Sequence, residues 1–515
     1  MSIKVAMIGA GSIGFSRRLM QDLLGVPEFA DTVFSLADID RENLKMVAQL
    51  CRRDIKANKL PAKVLTTTHT RKAIEDADYV ICMIRQGGLD AFESDIELPL
   101  RYGVDQCVGD TLGPGGIFYA QRTIPVLLEI CRHIREVAKP GALFLNYSNP
   151  MAMNTWACNQ YGGVRTVGLC HGVQGAHRQI TGLIEGWAKR EGLLSEGETV
   201  TPKEVDVICA GINHQTWFVK VEWRGIDFVP RLLELFEGDP HLAKTEKVRI
   251  DVLRRFGYYS TESNGHLSEY LPWYRKRPRE IRKWIDLSKW IHGETGGYLR
   301  VCREGRNWFA TDFPNWMKEE PPRISGEGRS DEHGSWIIEG LETGRTYRGH
   351  FNVVNEGHIT NLPNGCIIEI PGYADRIGLS MPVVGDLPLA CAATCSASVR
   401  VQQMAMEAAV RGDVDLLKQA VLHDPLTAAV CNPEEIWQMT DEMLVAQQQW
   451  LPQYKGSIGA AEERLQRHLE NGTRVRLRES NGAARLKTKT VEEMAKDRKA
   501  AVKNAGSADK GNMTR

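Results

Sequence analysis

Short apolar runs alternate with helical periodicity through the first third of the chain. Residues 3–9 (IKVAMIG) are an apolar run that ends in glycines, and a helical pattern follows from Phe15 to Leu24. TVFSLADID (32–40), ADYVICMI (77–84), GALFLNYSNP (141–150), TVGLCHG (166–172) and VDVICAGINH (205–214) read as further strands, with helical stretches between them, the longest at 117–137. Regular alternation predicts an α/β fold built on a doubly wound parallel sheet. Beyond residue 215 the alternation weakens. The stretch 271–320 is rich in Trp, Arg and Lys without a clean period, and 385–454 is mainly helical. After Tyr454 the chain turns charged and poor in large apolar residues. The pattern therefore predicts a Rossmann-like domain over 1–205, a C-terminal α+β domain for substrate and oligomer contacts over 206–455, and a charged tail over 456–515. That tail is expected to be dispensable to the body, and its last fifteen residues to be disordered.

Composition narrows the classes. With 515 residues, 42% of them hydrophobic, the chain can bury a large core. Lys+Arg and Asp+Glu are both 65, so no global charge draws it to nucleic acid. No apolar run reaches the length of a membrane span, and the N-terminus MSIKVAMIGAG lacks the apolar centre of a signal peptide. Twelve cysteines without framework spacing predict free thiols and a cytoplasmic setting.

Three groups of residues carry chemistry. Gly9-Ala10-Gly11-Ser12-Ile13-Gly14 follows a strand and opens a helix, the context in which G-x-G-x-x-G holds a dinucleotide. Gly9 is assigned to the tight turn, Gly11 to close approach of the pyrophosphate, and Gly14 to close helix–strand packing. An acid at the end of the second strand then takes the ribose hydroxyls, which selects Asp38, with Asp40 as its neighbour, and favours NAD over NADP. GDTLGPGGIFYAQRTIP (109–125) is a glycine-dense loop in which backbone can approach a ligand. Finally Asn146-Tyr147-Ser148-Asn149, Cys170-His171-Gly172 and Asn213-His214 end three strands, where an open α/β sheet binds its ligands, and a Cys and a His delivered there can share a metal.

The stretches IGAGSIGF, LADID, GDTLGPGGI with RTIP, NYSNPMAMNTWA, GLCHGVQG, AGINH, GYYSTESNGHLSEYLPW and NLPNGC together resemble the family 4 glycoside hydrolases, and among them the α-galactosidase (melibiase) branch. The resemblance runs from about Lys4 to Tyr454. It implies an NAD- and metal-dependent glycosidase, a family that stands outside the usual two-carboxylate scheme. In such enzymes hydride leaves sugar C3 for NAD, a base removes the C2 proton, the C1 substituent is eliminated, water adds and hydride returns. The resemblance places the metal, Mn2+ or another divalent ion, on Cys170 and His214. It places substrate on Asn149, with Asn213 beside the metal His, and leaving-group assistance on His171. The C2 base falls among Glu262, His266 and Tyr270. A homodimer or homotetramer is expected.

The expected substrate is a neutral α-hexoside of the α-galactoside kind. Cys-His-Gly, where neutral-sugar relatives usually read Cys-His-Ser, resembles uronide-cleaving members. The cations Arg275, Lys276, Arg277, Arg279, Arg282 and Lys283 would suit an anionic C6 group, as in a glucuronide, galacturonide or sulfoquinovoside. A plain NAD-dependent 2-hydroxyacid dehydrogenase, which shares the N-terminal fold, is the second alternative.

Overall fold

The computed structural model describes residues 2–306, 308–478 and 480–497; the expected disorder of the last fifteen residues lies outside them. Six parallel strands, β1 (Lys4–Ile8), β2 (Val33–Ala37), β3 (Lys63–Thr67), β4 (Tyr79–Cys82), β5 (Leu143–Asn146) and β6 (Thr166–Gly168), lie in the order β3-β2-β1-β4-β5-β6. This is the doubly wound nucleotide-binding arrangement. The central strands β4 and β5 are buried along their whole length. That follows from helices covering both faces and explains their unbroken apolar runs.

The sheet does not stop there. β7 (Asp206–Ile212), β8 (Gln215–Trp223), β9 (Ile226–Asp227), β10 (Tyr347–Val354), β11 (Ile367–Asp375) and β12 (Gly378–Ser380) add antiparallel strands. β10 pairs with β6 through Asn352 and Gly168, and the order continues β10-β11-β7-β8-β9. β7 therefore runs opposite to β6 and is not a further parallel strand. A single core joins Met7, Ile81 and Leu145 to Phe351, Ile368, Ile370 and Met406. A second cluster packs Val173, Ile180 and Ile184 of helix Gly172–Arg190 on Phe218, Val221 and Trp223. One sheet and one main core run across the expected boundary at 205/206 and tie the two halves together.

The tail departs most from expectation. Residues Lys455–Glu470 are a helix, with Ile458 and Ala461 buried. Beyond it the chain runs back over the body. Arg478 N donates to Arg101 O (2.8 Å), Val475 N to Gln438 Oε1 (2.9 Å), Ala483 N to Asp105 Oδ2 (2.9 Å) and Leu486 N to Glu294 Oε1 (3.2 Å). Arg485 pairs with Glu97 (Nη1–Oε2 3.0 Å). A segment that satisfies buried carboxylates with its own backbone is a strap, not a free tail.

Candidate active site

The chain brings Cys170, His214, Glu262, His266, Asn149, Asp110 and Tyr147 to one cavity of about 430 Å³. Asn213 and His214 form the two-residue turn between β7 and β8, with His214 in the left-handed region at φ 64°. A non-glycine residue held there signals a position set by its surroundings. The Thr111 hydroxyl donates to Asp110 Oδ1 (2.9 Å), so its oxygen accepts from His214 Nδ1 (2.7 Å). That places the His214 proton on Nδ1 and leaves the Nε2 lone pair facing Cys170 Sγ at 3.4 Å and Glu262 Oε2 at 3.5 Å. Burial holds the His214 pKa below its usual value, which keeps the ring neutral. Burial, then Glu369 and Glu262, push the Cys170 thiol well above the ordinary range. Such a thiol becomes a thiolate when a cation sits beside it. The donor set of thiolate, neutral imidazole and carboxylate fits a divalent transition metal.

Around this centre the side chains are held tightly. Asn149 Nδ2 donates to Asp110 Oδ2 (2.8 Å), and Tyr147 OH accepts from Gly334 N (2.9 Å). His333 Nε2 donates to the Cys170 carbonyl (3.1 Å) and its Nδ1 accepts from Tyr347 OH (2.7 Å). Burial raises the Glu262 carboxyl, and against it act the charge His266 and His214 carry when protonated and the Ser263 N–H, which donates to it. His266 Nδ1 faces Ser263 Oγ (2.8 Å) and Glu262 Oε1 (3.3 Å). His171 stands at the mouth, 64% exposed, with Nδ1 3.7 Å from Glu332 Oε1.

The glycine turn lies at the edge of β1. Gly9 has φ 85°, and a Cβ there would meet the Met83 carbonyl carbon at 2.9 Å. Gly11 N donates to Asp38 Oδ2 (2.7 Å), and Asp40 N to Asp38 Oδ1 (2.8 Å). The Asp40 carboxylate is engaged as the N-cap of helix Arg41–Ala57, accepting from Glu42 N and Asn43 N. Of the two acids, Asp38 is the one at the turn. Ser12 caps helix Ile13–Leu24 by position only, without a side-chain bond, and the Ile13 side chain lies outside the described residues.

Several expectations are corrected. A Cβ at Gly14 would meet nothing within 4 Å, so this glycine is not required for helix–strand packing. Of the loop at 109–125, the part from Gly113 on is already the helix Gly113–Val137, and the N–H groups of Gly109 (3.3 Å), Gly113 (2.9 Å) and Gly115 (3.1 Å) are taken by the side chains of Glu269, Asp424 and Gln106, not held open for a ligand. Asn213 is buried and off the cavity wall. Tyr270 lies behind the His214 ring, parallel to it with centroids 6.2 Å apart, also off the wall, and burial pushes its phenol well above the usual range. Of the cations at 275–283 none lines the cavity. Arg275 turns inward, but it is bound by Asp105 and by the Gly293 carbonyl (2.9 Å). Asp110 on the cavity wall and Thr111, which holds His214 from behind, were passed over in the sequence because that motif was weighed by its glycines.

A nucleotide-binding parallel sheet joined to a Cys–His–carboxylate centre defines a cofactor-bearing enzyme with a sugar-sized polar cavity. The chain belongs to the family 4 glycosyl hydrolases: it matches that family over residues 4–185 and the family's C-terminal domain over 209–427. It is 56% identical over 501 residues to the alpha-galactosidase of Rhizobium meliloti (strain 1021), covering 97% of this chain and 98% of that one. Against the alpha-galactosidase of Bacillus subtilis (strain 168) it is 34% identical, covering 88% and 100%. Among solved structures it is similar to Bacillus subtilis lplD, described as a glucosidase, at TM-score 0.74 and 27% identity, covering 86% and 100%. It shares its fold with the 6-phospho-beta glucosidase of Thermotoga maritima solved with manganese, NAD+ and glucose-6-phosphate, at TM-score 0.68 and 24% identity, covering 87% and 99%. Family membership removes the 2-hydroxyacid dehydrogenase alternative.

Proposed function

We propose that this enzyme hydrolyses α-galactosides using bound NAD and a divalent metal, Mn2+ in the first instance. The observation that carries the substrate is the 56% identity, over nearly the full length of both chains, to the Rhizobium meliloti alpha-galactosidase. The cofactors rest on the site itself: the Gly9–Gly11 turn with Asp38 fits a dinucleotide, and His214 presents Nε2 toward Cys170 as a metal-binding imidazole must. When bound, NAD supplies a reversible hydride acceptor and the metal a Lewis acid for sugar oxygens.

The chain's own residues do the rest. Asn149, fixed by Asp110, orients the sugar against the metal-binding edge. His266 keeps a proton on Nδ1 toward Glu262 Oε1 and Ser263, which leaves Nε2 to accept the proton from sugar C2. His171, exposed at the mouth, stands where the leaving group departs and donates to it. Tyr270, behind His214, is not the base in this reading. Of the two Lys/Arg cations on the cavity wall, Arg249 pairs with Glu246 at 3.1 Å, whereas Lys289 is in no such pair with it, so the neutral sugar rests on the similarity and not on the lining. The enzyme is read as a cytoplasmic homodimer or homotetramer. Free thiols at all twelve cysteines and the exposed apolar side chains of Ile377, Val383 and Leu389 support that reading.

The test is kcat/KM for nitrophenyl α-galactoside against the corresponding α-galacturonide and α-glucuronide, with NAD+, Mn2+ and a thiol. Preference for the galactoside by tenfold or more, about 1.4 kcal/mol, is expected. The reverse preference overturns the substrate, and accumulation of NADH in step with product overturns the catalytic use of NAD.

A further inference from the structure

We propose that Glu262 is a third protein ligand of the metal, and that residue 172 is glycine because the Glu262 carboxylate occupies the space of a side chain there. The inference rests on the metal reading above and adds to it a ligand that does not come from a strand end.

Ligand atoms of Cys170, His214 and Glu262 all lie within 4.8 Å of one another. Two edges of this triangle, His214 Nε2 to Cys170 Sγ at 3.4 Å and to Glu262 Oε2 at 3.5 Å, can be compared with coordination geometry. With metal–ligand bonds of about 2.0–2.3 Å, neighbouring ligands of a tetrahedral ion stand about 3.3–3.8 Å apart. Both edges already have that length. Glu262 is buried, at 7% exposure, and it presses a carboxylate against a thiol and a neutral imidazole. A carboxylate, a thiol and an imidazole brought together out of water offer three donors of the kinds a divalent transition metal takes. The two oxygens are also divided in use. Oε2 faces the metal ligands, whereas Oε1 accepts from Ser263 N (2.8 Å) and faces His266 Nδ1 (3.3 Å). Glu262 thus links the metal to the imidazole assigned to proton transfer.

Gly172 supplies the second, independent observation. Its backbone is not in the left-handed region, so nothing in φ demands a glycine. A Cβ built there would stand 2.8 Å from Glu262 Oε2 and 3.7 Å from Cys170 Sγ. The obstructed atom is the far end of a side chain, so a larger residue at 172 displaces the carboxylate and leaves the backbone in place. The other ligand-like group, Asp110 with His214 and His266, is weaker on this ground. Asp110 is already engaged by Asn149 and Thr111.

The test is Mn2+ affinity of the NAD-loaded enzyme without sugar, by calorimetry and by the electron paramagnetic resonance of bound Mn2+. Wild type, Glu262→Gln, Glu262→Asp, Gly172→Ala and Cys170→Ser are compared. Glu262→Gln and Gly172→Ala are each expected to weaken Mn2+ binding fivefold or more with NAD+ affinity unchanged, and Glu262→Asp to recover part of it. A change below fivefold in Glu262→Gln overturns the proposal even if turnover collapses, since Glu262 then acts on protons alone. Unchanged Mn2+ affinity in Cys170→Ser overturns the metal reading itself, which keeps the two failures distinct.

Discussion

Ending the chain at Glu470 removes the strap, and its effect should appear at the active site and not as global unfolding. Near the active site the strap meets the body at the buried carboxylates of Asp105 and Glu294. Asp105 accepts from Thr295 Oγ1 (2.8 Å), pairs with Arg275, and takes Ala483 N from the strap. Glu294 is held by both ends of the Arg300 guanidinium (2.7 and 2.8 Å) and takes Leu486 N. Thr295 N also donates to Ala484 O (2.6 Å), and Ala484 N donates to Thr295 Oγ1 (3.3 Å). Truncation leaves both acids their arginines and removes one charge-assisted donor from each, about 1.5–3 kcal/mol apiece before the freedom regained by the released segment. The segment so loosened includes Trp290, Ile291, His292 and Tyr298, all on the cavity wall. If only about 1 kcal/mol of the loss falls on that wall, a closed arrangement becomes about fivefold less favoured over an open one. The expected result is KM for the α-galactoside raised about fivefold or more, with a smaller change in kcat and faster proteolysis between residues 285 and 300. A chain ended at Lys489, which keeps every one of these bonds, should match the full enzyme. Equal KM in the two truncated chains and the full enzyme would refute the reasoning.

Three further outcomes follow from single contacts. Gly11→Val should weaken NAD+ binding tenfold or more by calorimetry, because a Cβ there would stand 2.7 Å from Asp38 Oδ2 and drive off the acid assigned to the ribose; unchanged affinity in a folded variant removes Asp38 from that role. Arg122→Ala should cost about 3–5 kcal/mol of stability in urea, since it strands the buried Asp95 that it binds through two bonds (2.9 and 2.6 Å); Arg122→Met with Asp95→Leu should cost less, and the opposite order would sink the argument. Burial raises the Glu269 carboxyl to about 8, against opposing help from Arg275 and the loop N–H groups. Between pH 4.5 and about 8 the folded chain keeps a proton that the unfolded chain releases, so this group's contribution to stability falls as pH rises through that window. Glu269→Gln should flatten the difference in thermal midpoint between pH 5.5 and 8.5, and an unaltered difference would exclude the group.

Elements defined by local pattern were legible, and those defined by distant partners were not. Strands β1, β2, β4, β5 and β6 could be read because parallel strands inside the sheet are buried on both faces and so carry unbroken apolar runs, whereas the edge strand β3, KVLTT with only Val64 buried, carries no such run and was missed. The glycine turn and the pairing of Cys170 with His214 are equally local, since each follows a strand end. β7 has the same apolar signature as β6, and apolarity carries no information about direction; only its pairing with β11 through Gly211 and Glu369 makes it antiparallel. The strap failed for a related reason. Its sequence is charged, but it docks mainly through backbone N–H groups onto Asp105 and Glu294, and composition does not report where a backbone donor finds an acid.

Gly172 shows how the two kinds of information combine. In the sequence a glycine after Cys-His pointed toward the sugar, as a resemblance to uronide-cleaving members. In the fold the space of a side chain there is already filled, from ninety residues downstream, by Glu262 Oε2. The same substitution pattern therefore bears on the metal centre before it bears on specificity. The cationic run that supported the anionic-sugar reading dissolves by the same logic: Arg275 is committed to Asp105, and its neighbours lie off the cavity. Both sequence signals for an acidic substrate thus have other uses in the folded chain; an anionic C6 group would have to find its cation in Lys289, which lines the cavity from outside that run, and the whole-length similarity to alpha-galactosidases carries the neutral sugar.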